Sequence, residues 1–154
     1  MTEPTHRATF GSALAYKDPG AAIEWLKKAF GFEVSLLITD DDGKVAHSEL
    51  SYGNGYIMAG GEWTDHIKAP SSVGGANTQT VHVQLSEDID AHCERARAAG
   101  ARIAQEPEDQ FYGDRTYRAF DLEGHMWTFG QTVKQTTPAD WEAAMPGLKV
   151  REGV

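Results

Sequence analysis

A chain of 154 residues with 40% hydrophobic content is long enough for one packed domain, or two half-domains sharing a core, and argues against wholesale disorder. Its formal net charge of −9 would repel a phosphate backbone, which sets nucleic-acid partners aside. No apolar run approaches the roughly 20 residues of a membrane span, the polar start at Met1–Arg7 does not read as a signal peptide, and the single Cys93 cannot close an internal disulfide, so a soluble cytoplasmic protein is the expectation.

Residues 1–9 read as a loose lead-in. Phe10–Lys17 alternates as a strand, with Leu14 and Tyr16 on one face and Ala13 and Ala15 on the other. Asp18-Pro19 starts a helix: the Asp side chain caps free N–H groups, and Pro suits the first helical position. Ile23, Trp25, Leu26, Ala29 and Phe30 supply its apolar stripe, and Gly31 stops it in a left-handed cap. Phe32–Thr39 is a strand, Asp40–Gly43 a turn, Lys44–Tyr52 a strand, Gly53-Asn54-Gly55 a hairpin turn and Tyr56–Gly60 the returning strand.

Gly61–Gln79 has no periodicity and reads as a linker loop. The pattern then returns. Thr80–Leu85 is a strand, Asp88 caps a helix to Ala99, Gly100 ends it, and Ala101–Ala104 is a strand. A ring-rich loop (Phe111, Tyr112, Gly113) leads into a hairpin of Thr116–Phe120 and His125–Gly130 around an Asp121–Gly124 turn. Caps and stops thus recur at a spacing of about 70 residues, so two βαβββ units repeat in register. The expected modules are about 10–62 and 79–131, joined by a linker at 63–78, all within one domain spanning 1–154. A βαβββ unit covers one sheet face with its helix and leaves the other bare. Two side by side predict an α+β fold with a curved mixed sheet around a concave cavity. The tail, 132–154, carries one more helix start at Thr137-Pro138 and is expected to pack on the domain or on a second subunit.

The paired units, together with the motifs DPGAAIEWLKKAFGF, HSEL, DIDAHCERARAAGA and YGDRTYRAFDLEGHMW, resemble the vicinal oxygen chelate superfamily. That superfamily includes glyoxalase I, bleomycin-resistance proteins and extradiol dioxygenases. The likeness is strongest to a PhnB-like, glyoxalase-like branch with an aromatic-Gly-Asp-Arg loop before an Asp-Pro-Phe-Gly-His-x-Trp hairpin. It covers about residues 10–131. Leu122-Glu123 stands here where that branch has Pro-Phe. The resemblance implies the glyoxalase/bleomycin-resistance fold and a homodimer, but it does not choose a chemistry, because this architecture hosts several.

Metal-dependent relatives carry His, Gln or Glu ligands at four strand positions. Counting from helix starts and turns puts those positions at Gly11, Met58, Thr80 and Thr128. Gly, Met and neutral Thr make a poor set for a divalent ion, so no metal and no other cofactor is expected at that place. Pairing through the Asn54-Gly55 turn (Ser51 with Met58, Glu49 with Gly60) puts His47, Glu49 and Met58 on the cavity face, with His82 two residues beyond Thr80. A His47–Glu49–His82 cluster would hold a metal or transfer protons; the plainer reading is polar lining. Arg115, beside Phe111 and Tyr112, reads either as a clamp for an anionic or planar ligand or as half of a surface ion pair. Trp127 belongs to the core, Trp63 to a rim or dimer contact, and Tyr52 and Tyr56 to the framework. His125 reads as a turn-stabilising group, Cys93 as a small buried apolar one, and His6, His66 and His92 as exposed.

The leading expectation is a metal-free homodimer that binds a small organic molecule through His47, Glu49, Met58, His82, Phe111, Tyr112, Arg115 and Thr128. The aromatic walls and acidic surplus point to a planar, cationic ligand. The alternative is a glyoxalase-like lyase or isomerase, or a dioxygenase-type enzyme, with His47 and Glu49 as catalytic residues, with or without a divalent metal. A third is an interaction protein with a vestigial cavity.

Overall fold

The computed structural model describes residues 7–154, so His6 lies outside the described residues. In the first half, β1 (Gly11–Tyr16) is followed by α1 (Pro19–Phe30), β2 (Glu33–Thr39), β3 (Val45–Tyr52) and β4 (Gly55–Gly61). The second half repeats the order with β5 (Val81–Leu85), α2 (Ile89–Ala98), β6 (Arg102–Asp109), β7 (Asp114–Phe120) and β8 (Met126–Thr132), and α3 (Pro138–Ala144) closes the chain. The helix signals act as read. The Asp18 carboxylate accepts from the Ala21 N–H at 3.1 Å, and Gly31 takes φ 84°. Asp88 likewise accepts from the Ala91 N–H at 3.1 Å.

The strands form two four-stranded sheets, ordered β1-β4-β3-β2 and β5-β8-β7-β6, rather than one continuous sheet. In each sheet the first strand runs parallel to the last, and the remaining neighbours are antiparallel. α1 and α2 each pack on their own sheet and on one another. Phe30 of α1 reaches Trp127 and Phe129 of the second sheet at 5.2 and 4.7 Å between ring centroids, so the helix-facing sides share one core. Trp127 is fully buried in it, as its alternation with Thr128 predicts.

Polar clasps bind the halves. The Asp121 carboxylate accepts from Tyr16 Oη at 2.7 Å and from Trp127 Nε1 at 3.0 Å. The Trp25 indole N–H donates to the Ala99 carbonyl at 2.8 Å, and Arg95 donates to the carbonyls of Lys28 and Lys27 at 2.8 and 3.0 Å. His92 belongs here and is half-buried rather than exposed. Its Nε2 pairs with the Phe30 carbonyl at 2.9 Å and its Nδ1 with the Tyr117 hydroxyl at 2.5 Å, against the ring of Phe129. His125 does more than hold its turn: Nε2 reaches the Ala15 carbonyl at 2.7 Å across the halves.

Two strand details differ from the sequence reading. β6 runs on to Asp109, through a Glu-Pro-Glu-Asp run that reads as loop. It can do so because β6 is an edge strand, where Pro107 need not donate, and the register with β7 shifts between Gln105 and Glu108. The first hairpin turns tightly on Gly53-Asn54, so Ser51 pairs with Tyr56 and Glu49 with Met58, two residues from the expected register. Gly53 takes φ 56°, the sign a II′ hairpin turn requires of its first central residue. Because the slip is two, every side chain keeps its face.

Candidate functional site

Burial sorts the faces. Ser48, Leu50, Ile57 and Ala59 are buried toward α1, so His47, Glu49, Tyr56 and Met58 point away from it. Tyr117, Ala119, Trp127 and Phe129 are buried toward α2, so Arg118, Thr128 and His82 point away. The register lines these outward groups into rows. Ala13, Met58, Glu49 and Leu36 form one across the first sheet, and His82, Thr128, Arg118 and Gln105 form its counterpart across the second.

These rows correct the expected ligand positions. The β1 neighbour of Met58 is Ala13, not Gly11, and the β5 neighbour of Thr128 is His82, not Thr80. Gly11 instead lies opposite Tyr56, whose ring fills the space a side chain would take: a Cβ on Gly11 would fall 2.3 Å from Tyr56 Cζ. The donors do not gather around an ion. Glu49 is held by Arg7 Nη2 at 2.8 Å and by His47 Nε2 at 3.0 Å, and His82 Nε2 pairs with Gln84 Oε1 at 3.2 Å. Among the described residues no trio of His, Cys, Asp or Glu converges as metal ligands, so the His47–Glu49–His82 cluster is not assembled. A chelated divalent ion does not fit Ala13, Met58 and Thr128 with His82 alone.

What the fold does bring together is a seam. β1, at one edge of the first sheet, meets the segment leading into β5, at one edge of the second, where Gln79 Nε2 donates to Ser12 Oγ at 3.2 Å. At one end of the seam a cavity of about 380 Å³ is walled by the rings of Phe10, Phe32, Tyr52 and Tyr56, with His82 and Gln84 on the β5 side. At the other, a cavity of about 440 Å³ lies beneath the linker, with Ala13, Lys68, Asn77 and His125 in its wall. The linker is pinned there by Glu62, which accepts from the Ala69 N–H at 2.8 Å; a bond from the Ser72 side chain, and then this one, hold its carboxyl below the usual range. Volumes of this order suit a small organic molecule. Of the residues singled out for binding, His82 lines one of these cavities; His47, Glu49, Met58, Phe111, Tyr112, Arg115 and Thr128 line neither.

Arg115 faces α2, on the opposite side of the sheet from Thr128. Its Nε donates to Asp90 at 2.9 Å and its Nη1 to Asp109 at 3.1 Å, which is the surface ion-pair arrangement. Arg118, three residues on along the same strand, faces outward, and strand alternation was the signal that separates the two. Phe111 and Tyr112 stack edge-on at 5.3 Å, half-open to solvent. Their loop is tied to the tail, with Thr136 Oγ1 donating to the Tyr112 carbonyl at 2.6 Å and accepting from Trp141 Nε1 at 2.7 Å. Trp63 stands 80% exposed on the linker. Cys93 is buried, and that burial pushes its thiol up to about 11, away from nucleophilic use.

Solved structures share this architecture. TioX from Micromonospora sp. ML1 superposes with a TM-score of 0.67 at 35% identity, over 84% of this chain and 100% of that one. TnmS3, an antibiotic-binding protein from Streptomyces sp. CB03234, superposes at 0.62 with 16% identity, over 86% of this chain and 98% of that one, a likeness of fold. An uncharacterised protein of Mycobacterium bovis is 33% identical over 141 residues, 86% of this chain and 88% of its own length. Residues 8–129 match the family model of the Glyoxalase/Bleomycin resistance protein/Dioxygenase superfamily. With paired βαβββ modules, a ring-walled seam and a family match over most of its length, the chain belongs to that superfamily.

Proposed function

We infer that this protein binds a planar aromatic small molecule without a metal, as a homodimer in the cytoplasm. The observation that carries the reading is the seam cavity: four aromatic rings around about 380 Å³, next to outward faces whose side chains do not form a cation site. Rings at the wall offer stacking area at low entropic cost and with little demand on the ligand's polar groups. TnmS3 binds an antibiotic on the same fold, which supports sequestration as the role. The dimer is supported by β2, an unpaired edge strand that exposes Leu36, Leu37 and Ile38 and so leaves apolar surface on both its faces. A thermal-shift screen of flat polycyclic aromatics (acridine, phenazine, anthraquinone) on chelator-treated protein tests the reading. A ligand at 100 times its Kd adds about 2.7 kcal/mol of stability. Stabilisation by one of these, lost in Tyr56→Ala, is the expected result. No stabilisation by any of them, or stabilisation that requires an added divalent ion, would overturn it.

A second reading rests on His47 Nε2 and Glu49 Oε2, 3.0 Å apart on the outward face of the first sheet, as an acid/base pair in a lyase or isomerase. Under it, His47→Ala abolishes turnover; under sequestration, His47→Ala leaves ligand binding intact.

A further inference from the structure

The cavity of about 440 Å³ beneath the linker is lined by none of the residues that the sequence singles out for binding. Ser12 and Gln79 wall both cavities, and the hydrogen bond between them partitions the seam. One wall of the linker cavity is the free edge of β1. This strand pairs with β4 without a bulge, so its backbone N–H and C=O groups point alternately toward β4 and across the seam. Two contacts to the second module fix the parity. The Ala15 carbonyl accepts from His125 Nε2 at 2.7 Å, and the Lys17 N–H donates to Glu123 Oε1 at 2.5 Å. Ala13 shares that parity. Its N–H and C=O therefore face the cavity and not the ladder, and among the described residues neither meets a partner. An edge with open backbone groups is ordinarily covered or paired.

The linker above is tied to both modules. Glu62 of the first holds the Ala69 N–H at 2.8 Å. On the second, the Ser71 N–H donates to the Glu123 carbonyl at 3.1 Å, Asn77 Nδ2 donates to the Gly124 carbonyl at 2.9 Å, and Asn77 Oδ1 accepts from the Met126 N–H at 3.0 Å. The hollow is therefore preformed, and these bonds occupy the Asn77 amide as the Ala15 contact occupies His125 Nε2. Lys68 lies 3.9 Å from Asp65, so the rim carries charges of both signs. The rigid groups left open are the N–H and C=O of Ala13, with the apolar side chains of Pro70, Val73 and Val81 around the same space.

We propose that this cavity is a second binding site, separate from the ring-walled one, for a neutral, flat cyclic secondary amide such as a lactam, a pyridone or a pyrimidine base. In such a ring the C=O and N–H lie side by side, the complement of the pair on Ala13. The ligand's C=O accepts from the Ala13 N–H and its N–H donates to the Ala13 C=O, the pairing an added strand would make at a single residue. Specificity comes from the backbone of β1, and the linker side chains supply the contact area.

Titration of the full chain with 2-quinolinone and with N-methyl-2-quinolinone, followed by backbone amide NMR, tests the site. The wild type binds the N–H compound about tenfold or more tightly than the N-methyl one, and the amide signals of Ala13 and Ala15 move most. Ala13→Pro deletes the donor at an edge position where proline costs no ladder bond, and the preference is lost. The ligand pair and the amide shifts decide the matter in wild-type protein even if that variant does not fold. Tyr56→Ala, in the wall of the other cavity, leaves the preference intact. Equal affinity for the two compounds, shifts centred on Tyr52 and Tyr56, a preference that survives Ala13→Pro, or one that disappears with Tyr56→Ala overturns the proposal. Loss of all polycyclic-aromatic binding to the ring-walled cavity would strike the proposed function and leave this site standing.

Discussion

Replacing Asp121 by Asn tests how the two modules are locked. The carboxylate is buried and fully used: Oδ2 accepts from Tyr16 Oη at 2.7 Å and Trp127 Nε1 at 3.0 Å, and Oδ1 accepts from the Glu123 and His125 N–H groups, each at 3.0 Å. Asn has the same shape but offers one oxygen. Turned so that its oxygen keeps the two backbone donors, its NH2 meets Tyr16 and Trp127. The Tyr16 hydroxyl can rotate and accept; the Trp127 indole N–H cannot, and it is fully buried. An orphaned buried donor costs about 1–3 kcal/mol, and the remaining bonds lose their charge assistance, worth about another 1 kcal/mol. The sum is about 3 kcal/mol, or about 6–12 °C in Tm for a domain of this size. Differential scanning calorimetry and urea unfolding measure both quantities. Tyr16→Phe, which removes one donor and orphans nothing, should cost about 1 kcal/mol. An Asp121→Asn protein melting within about 2 °C of wild type would refute the reasoning.

Burial lowers the pKa of His92, so the folded state holds it neutral while the unfolded chain binds a proton below its ordinary value of about 6.5. Its contribution is therefore present above that pH and is lost as pH falls below it. Unfolding free energy measured from pH 7.5 down to 5 should drop by up to about 1.4 kcal/mol per pH unit, and His92→Gln should flatten that slope; an unchanged slope contradicts the assignment. Gly113→Ala should cost more than about 2 kcal/mol, because φ is 100° and the added methyl would sit 2.2 Å from the Lys134 carbonyl oxygen. Limited proteolysis should then cleave the tail beyond Thr132 first, and an intact tail would count against the clasp. Cys93, buried and with its thiol raised to about 11, should react with an aromatic disulfide reagent only at the rate of unfolding; reaction at native rates would show it exposed. Arg115→Gln should lower Tm by a small, salt-sensitive amount and leave aromatic binding unchanged, whereas lost binding would restore the clamp reading.

What could be read from the sequence was local. Asp18-Pro19, Gly31, Asp88 and the Asp121–Gly124 turn each act within four residues, and each produced the element its chemistry demands. The faces of β3 and β4 were legible too, because alternation survives a register slip of two. Contacts across the halves were not. His92 looks exposed on a helix wheel and is drawn inward by Phe30 and Tyr117, which lie 62 and 25 residues away. The extension of β6 depends on its being an edge strand, a property of sheet order. The seam cavity draws its walls from β1, β4 and β5 together, so no single motif announced it. Gly11, set aside as an absent ligand, is glycine because Tyr56 lies over it.

Equilibrium dialysis of chelator-treated protein against acridine bears most directly on the central claim. Saturable binding of one molecule per chain, unchanged by added zinc or nickel and lost in Tyr56→Ala, is the predicted result. Binding that appears only when a divalent ion is restored, or that is indifferent to Tyr56, would contradict it.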